Sequence, residues 1–210
     1  MLYPMMMNLK GKSAAIIGGG GIAERKAAGL LEAGAAVTII SPRVTAGLSK
    51  IVSEEKCIWK EKCFENDDAA GFFIIIAATD NPLVNQEVKQ AASDNQLVLM
   101  IDDPHSSDFQ IPALVRRGKL TLTVSTDGAS PKLAKKIKKQ LSQTYDKRYE
   151  NYLEFLQQAR RFILENVRDP EWKSRLLEHI ISDDFLLETD RETAFQKLYE
   201  SYFKESKQCD

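Results

Sequence analysis

An apolar run, Ala14-Ala-Ile-Ile17, passes straight into four consecutive glycines, Gly18 to Gly21, and then into the helix-compatible stretch Ile22-Ala-Glu-Arg-Lys-Ala27. That order calls for a buried strand, a tight turn and a helix lying close on the strand. Gly18, Gly20 and Ala23 meet the G-x-G-x-x-G/A spacing of a turn that holds a dinucleotide diphosphate. Gly18 permits the tight turn, Gly20 keeps a Cβ away from the diphosphate, and Ala23 lets helix and strand approach. Backbone N–H groups of Gly19, Gly21 and Ile22 complete the expected cradle, at the positive end of the helix dipole.

The helix expected over Ile22–Ala33 ends at Gly34, and Ala36-Val-Thr-Ile-Ile40 reads as a second, β-branched strand. Strand, glycine turn, helix and strand in that order make a βαβ unit, so the fold class is α/β with a Rossmann-type parallel sheet. A dinucleotide site of this kind carries an Asp or Glu at the end of its second strand, to accept ribose hydroxyls. Here that strand ends Ile39-Ile40-Ser41-Pro42-Arg43 instead. Ser41 can bond a ribose hydroxyl and Pro42 borders it, whereas Arg43 suits either the extra phosphate of NADP or a solvated loop.

Ala46–Glu55 is expected as a short helix, Cys57–Phe64 as a strand with polar alternation, and Phe72–Ala78 and Gln96–Ile101 as buried strands. Thr79-Asp80-Asn81-Pro82 is turn chemistry leading into a helix over Leu83–Ser93, with Asp80 as N-cap, cofactor contact or both. Asp80 and Asp102 both fall at carboxyl ends of sheet strands, the edge where open α/β sheets bind ligands, and Ala78 and Thr79 share it. Asp102-Asp103-Pro104 reads in two ways: as a turn held by Asp103, or as a loop presenting Asp102 as general base.

After Pro112 the pattern changes. Gly118–Ser125 alternates strictly, Ser130-Pro131 starts a helix reaching about Lys147, and helices are expected over Tyr149–Val167, from Asp169-Pro170 to about Ile181, and from Asp190. The loop Val124–Pro131 carries hydroxyls on Ser125, Thr126 and Ser130 around Gly128, and is followed by Lys132, Lys135, Lys136 and Lys139 at helical spacing. Such a run is a solvated charged face or a clamp for a polycarboxylate or phosphate. Arg116, Arg117 and Lys119 lie just before it.

The formal net charge of -1 supplies no global field for nucleic acid, and nothing in the chain reads bases. The longest apolar stretches are too short to span a bilayer, and residues 1–10 lack a signal-peptide pattern, so a cytoplasmic protein without a membrane partner is expected. Cys57, Cys63 and Cys209 lack C-x-x-C spacing and His105 and His179 are the only histidines, so no metal site is expected and the thiols are read as reduced. His179 and Cys57 are expected to pack rather than ligate.

Together, Ile17–Ala27, Leu31-Glu-Ala-Gly-Ala35, Ala77-Ala-Thr-Asp-Asn81, Ile101-Asp-Asp-Pro104 with Phe109 and Pro112, and Val124–Pro131 resemble the precorrin-2 dehydrogenase module of siroheme synthases, a family with or without ferrochelatase activity. The resemblance covers most of the chain. It implies an NAD-binding Rossmann domain over residues 1–113, a small α+β dimerisation segment over 114–147 and a helical domain over 148–210. It further implies a homodimer that converts the tetrapyrrole precorrin-2 into sirohydrochlorin with NAD as hydride acceptor. The family's important aspartate maps onto Asp102, and Ser125, Thr126, Gly128, Ser130, Lys132, Lys135 and Arg116 become candidate substrate contacts. Family members often carry Asn three residues before that aspartate, where this chain has Leu99. No methyltransferase module follows, so the fused synthase is not expected. Two alternatives stay open: a bifunctional dehydrogenase and ferrochelatase, and an NAD-sensing regulatory domain without turnover.

Overall fold

The computed structural model describes residues 2–206, with side chains described through Tyr202. Cys209 lies outside the described residues. The chain divides into two compact units, Met1–Ile111 and Pro112–Asp210.

In the first unit, β1 (Ser13–Ile17), β2 (Ala36–Ile40), β3 (Ile58–Lys60), β4 (Ile74–Ala77) and β5 (Leu97–Met100) form a parallel sheet in the order β3-β2-β1-β4-β5. The side-chain alternation of β1 explains why both faces are covered. Ala14 and Ile16 point into one core with Ala23, Ala27 and Leu30 of α1 (Gly21–Glu32) and Leu48 of α2 (Ala46–Ser53). Ala15 and Ile17 point into another with Val88 of α3 (Pro82–Ala91) and Ala69. With helices on both sides, β4 and β5 are wholly apolar and β1 and β2 carry one hydroxyl residue each, Ser13 and Thr38, the near-continuous apolar pattern of a buried parallel sheet. Gly34, at φ +79, ends α1 in the left-handed region where L side chains are strained.

Only Ile58–Lys60 of the expected Cys57–Phe64 strand pairs with the sheet. Beyond it the chain is turned by Asp68, whose buried carboxylate takes Lys62 at 3.0 Å, Lys60 at 3.6 Å and the Glu65 amide at 3.1 Å. Burial acts to raise this carboxyl, but the Lys62 hydrogen bond and the Glu65 amide outweigh it and hold Asp68 below the ordinary carboxylate range. The N-cap of α3 is Asn81, whose Oδ1 accepts from the Leu83 amide at 3.0 Å; Asp80 is exposed one residue earlier. Cys57 is buried, which pushes its thiol pKa up, and Cys63 is exposed.

The second unit begins with an antiparallel hairpin, β6 (Ala113–Arg117) and β7 (Leu120–Val124). Its turn passes through Gly118, at φ +54. The first of these strands had no alternating pattern to betray it. Helix α4 (Pro131–Thr144) packs on the hairpin, and the helix expected to continue to Lys147 stops there. Asp146 then precedes α5 (Arg148–Asn166), its Oδ1 accepting from the Arg148 amide at 2.9 Å. α5, α6 (Pro170–His179), α7 (Asp183–Leu187) and α8 (Arg191–Ser206) enclose an aromatic core around Tyr152, Phe155, Phe185 and Phe195. His179 sits edge-on to Phe185 and Tyr202, a packing role.

Candidate active site

The glycine turn between β1 and α1 is pressed from two sides. Gly18 adopts φ +117, and a Cβ there would overlap the Ala78 carbonyl at the end of β4. A Cβ on Gly19 would overlap the Arg43 carbonyl and come within 2.9 Å of the Ser41 hydroxyl. Gly20 differs from both: a Cβ there would meet nothing within 4 Å. Glycines 18 and 19 therefore let strand ends close on the turn, whereas Gly20 leaves room above it. No side chain caps α1, and its first backbone bond runs from the Glu24 N–H to the Gly20 carbonyl at 3.0 Å. The amides of Gly21, Ile22 and Ala23 precede that bond and point out of the helix end. An uncapped helix start beneath open space fits a dinucleotide diphosphate.

At the end of β2, Ser41 is buried and builds the bend rather than facing outward. Its hydroxyl donates to the Arg43 carbonyl at 2.8 Å, and its own carbonyl accepts from the Trp59 indole at 2.9 Å. Pro42 and Arg43 lie exposed on the outside of the bend. Thr45 closes it: its N–H donates to the Gly19 carbonyl at 3.0 Å, and its hydroxyl caps α2 through the Leu48 amide at 3.2 Å.

The end of β4 is held from α3. Ala78 donates its N–H to the Ile17 carbonyl at 2.8 Å. Thr79 bonds through both its amide and its hydroxyl to Asn85, a side chain with no solvent exposure. Asp80, just beyond, is exposed and has no hydrogen-bond or ion-pair partner among the described residues. Asn85 escaped the sequence reading, although its place four residues after Asn81 puts it one helical turn inside α3.

Asp102 lies where the chain leaves β5 and doubles back along that strand. Ser107 accepts the Met100 amide at 2.9 Å, and Asp108 accepts the Val98 amide at 2.8 Å and Lys89 at 2.6 Å, so the returning segment closes the sheet edge. Asp103 takes the Ser106 hydroxyl at 2.5 Å and the His105 amide at 3.0 Å; these bonds, the Ser106 hydroxyl first, hold its carboxyl below the ordinary range. The two neighbouring carboxylates thus divide the work: Asp103 fixes the loop, and Asp102 stands exposed with no partner among the described residues. Of the two sequence readings of this dipeptide, the turn held by Asp103 is the one these bonds build.

In the second unit the hydroxyls of the β7–α4 loop use their lone pairs internally. Ser125 accepts from the Asp127 amide, Thr126 from the Ser130 amide and Ser130 from the Leu133 amide, each at 3.2 Å. Each O–H proton remains a free donor, and the loop turns through Asp127 and Gly128 at φ +49 and +81. Lys132, Lys135, Lys136 and Lys139 are exposed and make no ion pair among the described residues. Arg117 is not part of this surface: it donates to the Ser142 and Arg116 carbonyls, and Lys119 is bonded to Gln157. Arg116 is exposed on β6. No group of three or more His, Cys, Asp or Glu is gathered for a metal among the described residues.

Three family models match successive parts of the chain: a putative NAD(P)-binding model over residues 5–113, a sirohaem biosynthesis central model over 117–144, and a SirC C-terminal model over 149–195. The chain is 38% identical to a precorrin-2 dehydrogenase of Priestia megaterium over 201 residues, covering 96% of this chain and all of that one. It is 36% identical to a precorrin-2 dehydrogenase of Bacillus subtilis over 76% of this chain and 99% of that one. A solved structure of SirC, a precorrin-2 dehydrogenase, superposes with a TM-score of 0.83 at 37% identity, over 96% of this chain and all of that one.

Proposed function

This chain belongs to the precorrin-2 dehydrogenase family, and on that premise we propose how its residues divide the labour of oxidising precorrin-2 to sirohydrochlorin. The observation that carries the reading is the uncapped start of α1 under the open face of Gly20. NAD bound there supplies the hydride acceptor. The amides of Gly19, Gly21, Ile22 and Ala23 and the helix dipole hold its diphosphate, and Gly18 keeps the turn tight against Ala78. Ser41 and Pro42 shape the wall beside the adenosine ribose, and Ala78, Thr79 and Asp80 border the nicotinamide half.

Asp102 is the base. Oxidation of the macrocycle removes a hydride and a proton, and a carboxylate without an internal partner is free to accept that proton. Asp103, occupied by Ser106 and His105, keeps the loop in shape and takes no proton itself. Ser125, Thr126 and Ser130 donate hydroxyl protons, Gly128 gives backbone access, and Lys132, Lys135 and Arg116 supply charge for the carboxylates of the tetrapyrrole.

The chain works in three segments: an NAD-binding domain over 1–113, a dimerisation segment over 114–147 and a helical domain over 148–210. It assembles as a homodimer. A two-stranded ribbon such as β6–β7 has two unpaired outer edges and is marginal alone, which favours a second copy across it. No helix among the described residues is long and apolar enough to cross a membrane, and we place the enzyme in the cytoplasm without a nucleic-acid partner. The test is an anaerobic incubation of the protein with precorrin-2 and NAD, followed by absorption. Growth of reduced nicotinamide together with the sirohydrochlorin spectrum is expected. Tight NAD binding with neither product would replace the enzyme by a cofactor-sensing domain.

A further inference from the structure

The second strand ends without the acidic residue that dinucleotide sites of this type place against the ribose, and a carboxylate reaches the same bend from another element. Glu24 lies one turn into α1, its N–H bonded to the Gly20 carbonyl at 3.0 Å. Its half-buried side chain crosses to α2, where Oε2 accepts the Thr45 hydroxyl at 2.5 Å. A Cβ on Gly47 would overlap the Glu24 carboxylate, so Gly47 is the residue that lets the charge lie against the first turn of α2. Thr45 is in turn bonded to the Gly19 carbonyl and to the Leu48 amide, at 3.0 and 3.2 Å. One side chain thus joins the glycine turn to the bend after β2.

Two consequences follow from charge and geometry. The N-terminus of α2 would otherwise attract an anion, and Glu24 already occupies it. That fixed carboxylate would repel a phosphate on the adenosine 2′-oxygen, whereas a bare, uncharged hydroxyl would not be repelled. Arg43 stands exposed at the same bend without an ion pair among the described residues, the one group there suited to take such a phosphate once that carboxylate were neutral.

We propose that Glu24 is the positioning and specificity-determining residue at the adenosine end of the cofactor site: through Thr45 it holds the bend that borders the ribose, and its charge selects NAD against NADP. This rests on the reading that NAD occupies the Gly18–Ala23 turn.

The test compares kcat and KM for NAD and for NADP in the full-length protein and three variants, with NAD titrated directly onto each. Glu24→Gln keeps an acceptor for Thr45 but removes the charge, and is expected to raise the NADP-to-NAD ratio of kcat/KM about tenfold, through KM rather than kcat. Adding Arg43→Ala to Glu24→Gln is expected to abolish that gain. Thr45→Val keeps the charge but breaks the latch, and is expected to raise KM for NAD severalfold while leaving the ratio as it was. The ratio does not depend on how much of a preparation is folded. An unchanged ratio in folded Glu24→Gln, or an unchanged KM in Thr45→Val, overturns the proposal. A wild-type protein that binds no NAD sinks the underlying site assignment instead, so the two failures are told apart.

Discussion

Asn85 Oδ1 accepts both the hydroxyl and the amide of Thr79, at 2.8 and 3.2 Å, and its Nδ2 returns a bond to the Thr79 carbonyl at 3.3 Å. A side chain from α3 therefore completes the hydrogen bonding that β4 loses where the strand ends. Asn85→Ala leaves the Thr79 amide and carbonyl without their side-chain partner at a half-buried strand end, a loss of about 1–3 kcal/mol. Denaturant unfolding should show the lowered midpoint, and NAD titration a weakened affinity, because the loosened Ala78–Asp80 segment borders the cofactor.

Asp102→Asn removes the proposed base and leaves the loop anchors Asp103, Ser107 and Asp108 in place. Turnover of precorrin-2 is expected to fall by about 10²–10⁴ with NAD affinity retained. Anaerobic absorption kinetics and a parallel NAD titration separate the two effects. Wild-type turnover in this variant would remove Asp102 from the chemistry.

Two glycine substitutions should part ways. Gly20→Ala puts a methyl group into open space, at φ -81, so the protein keeps its thermal midpoint while the methyl competes with the diphosphate and weakens NAD binding. Gly19→Ala drives a methyl into the Arg43 carbonyl and lowers stability itself, by about 1–3 kcal/mol. Calorimetric melting with and without NAD distinguishes the pair, and equal melting losses would contradict the geometry.

Acid should weaken the first unit through Asp108. Burial acts to raise this carboxyl, but the bonds from Lys89 and the Val98 amide outweigh it, and its pKa lies below the ordinary value. A folded-state pKa below the unfolded one contributes stability that is fully present above the unfolded carboxylate value of about 3.9 and is lost as pH falls through the folded value. Urea midpoints recorded downward from pH 6 should drop steeply below about pH 4, and Asp108→Asn should flatten that drop while lowering stability at neutral pH.

Reversing the charge of α4 with Lys132→Glu and Lys135→Glu should raise KM for precorrin-2 about tenfold with a smaller change in kcat, and the difference should shrink as salt is added. Both side chains are exposed and free of ion pairs, so the fold should tolerate the change. A salt-independent KM would assign the lysines to solvent alone.

The glycine turn, the two strands around it and the exposed aspartate beyond β5 were legible because each depends on spacings of a few residues. Gly18, Gly20 and Ala23 reveal a turn by their intervals, and an apolar run before Asp102 places that residue at a strand end. The ends of elements were less legible. The strand Cys57–Phe64 shrank to Ile58–Lys60 because Asp68, eight residues past Lys60, gathers two lysines and an amide. The strand Ala113–Arg117 showed itself only as the partner of the alternating one.

Sequence by itself determined the α/β class, the βαβ turn and the family, since local intervals and ordered motifs carry them. Tertiary structure decided what each polar group is bonded to. Ser41 turns inward to Arg43, Arg117 is spent on Ser142, Asn85 clamps the end of β4 from inside α3, and Glu24 reaches across to Thr45 at the bend after β2. The physical reason is that a buried donor or acceptor must find a partner wherever the fold offers one, and no interval along the chain records which partner that will be.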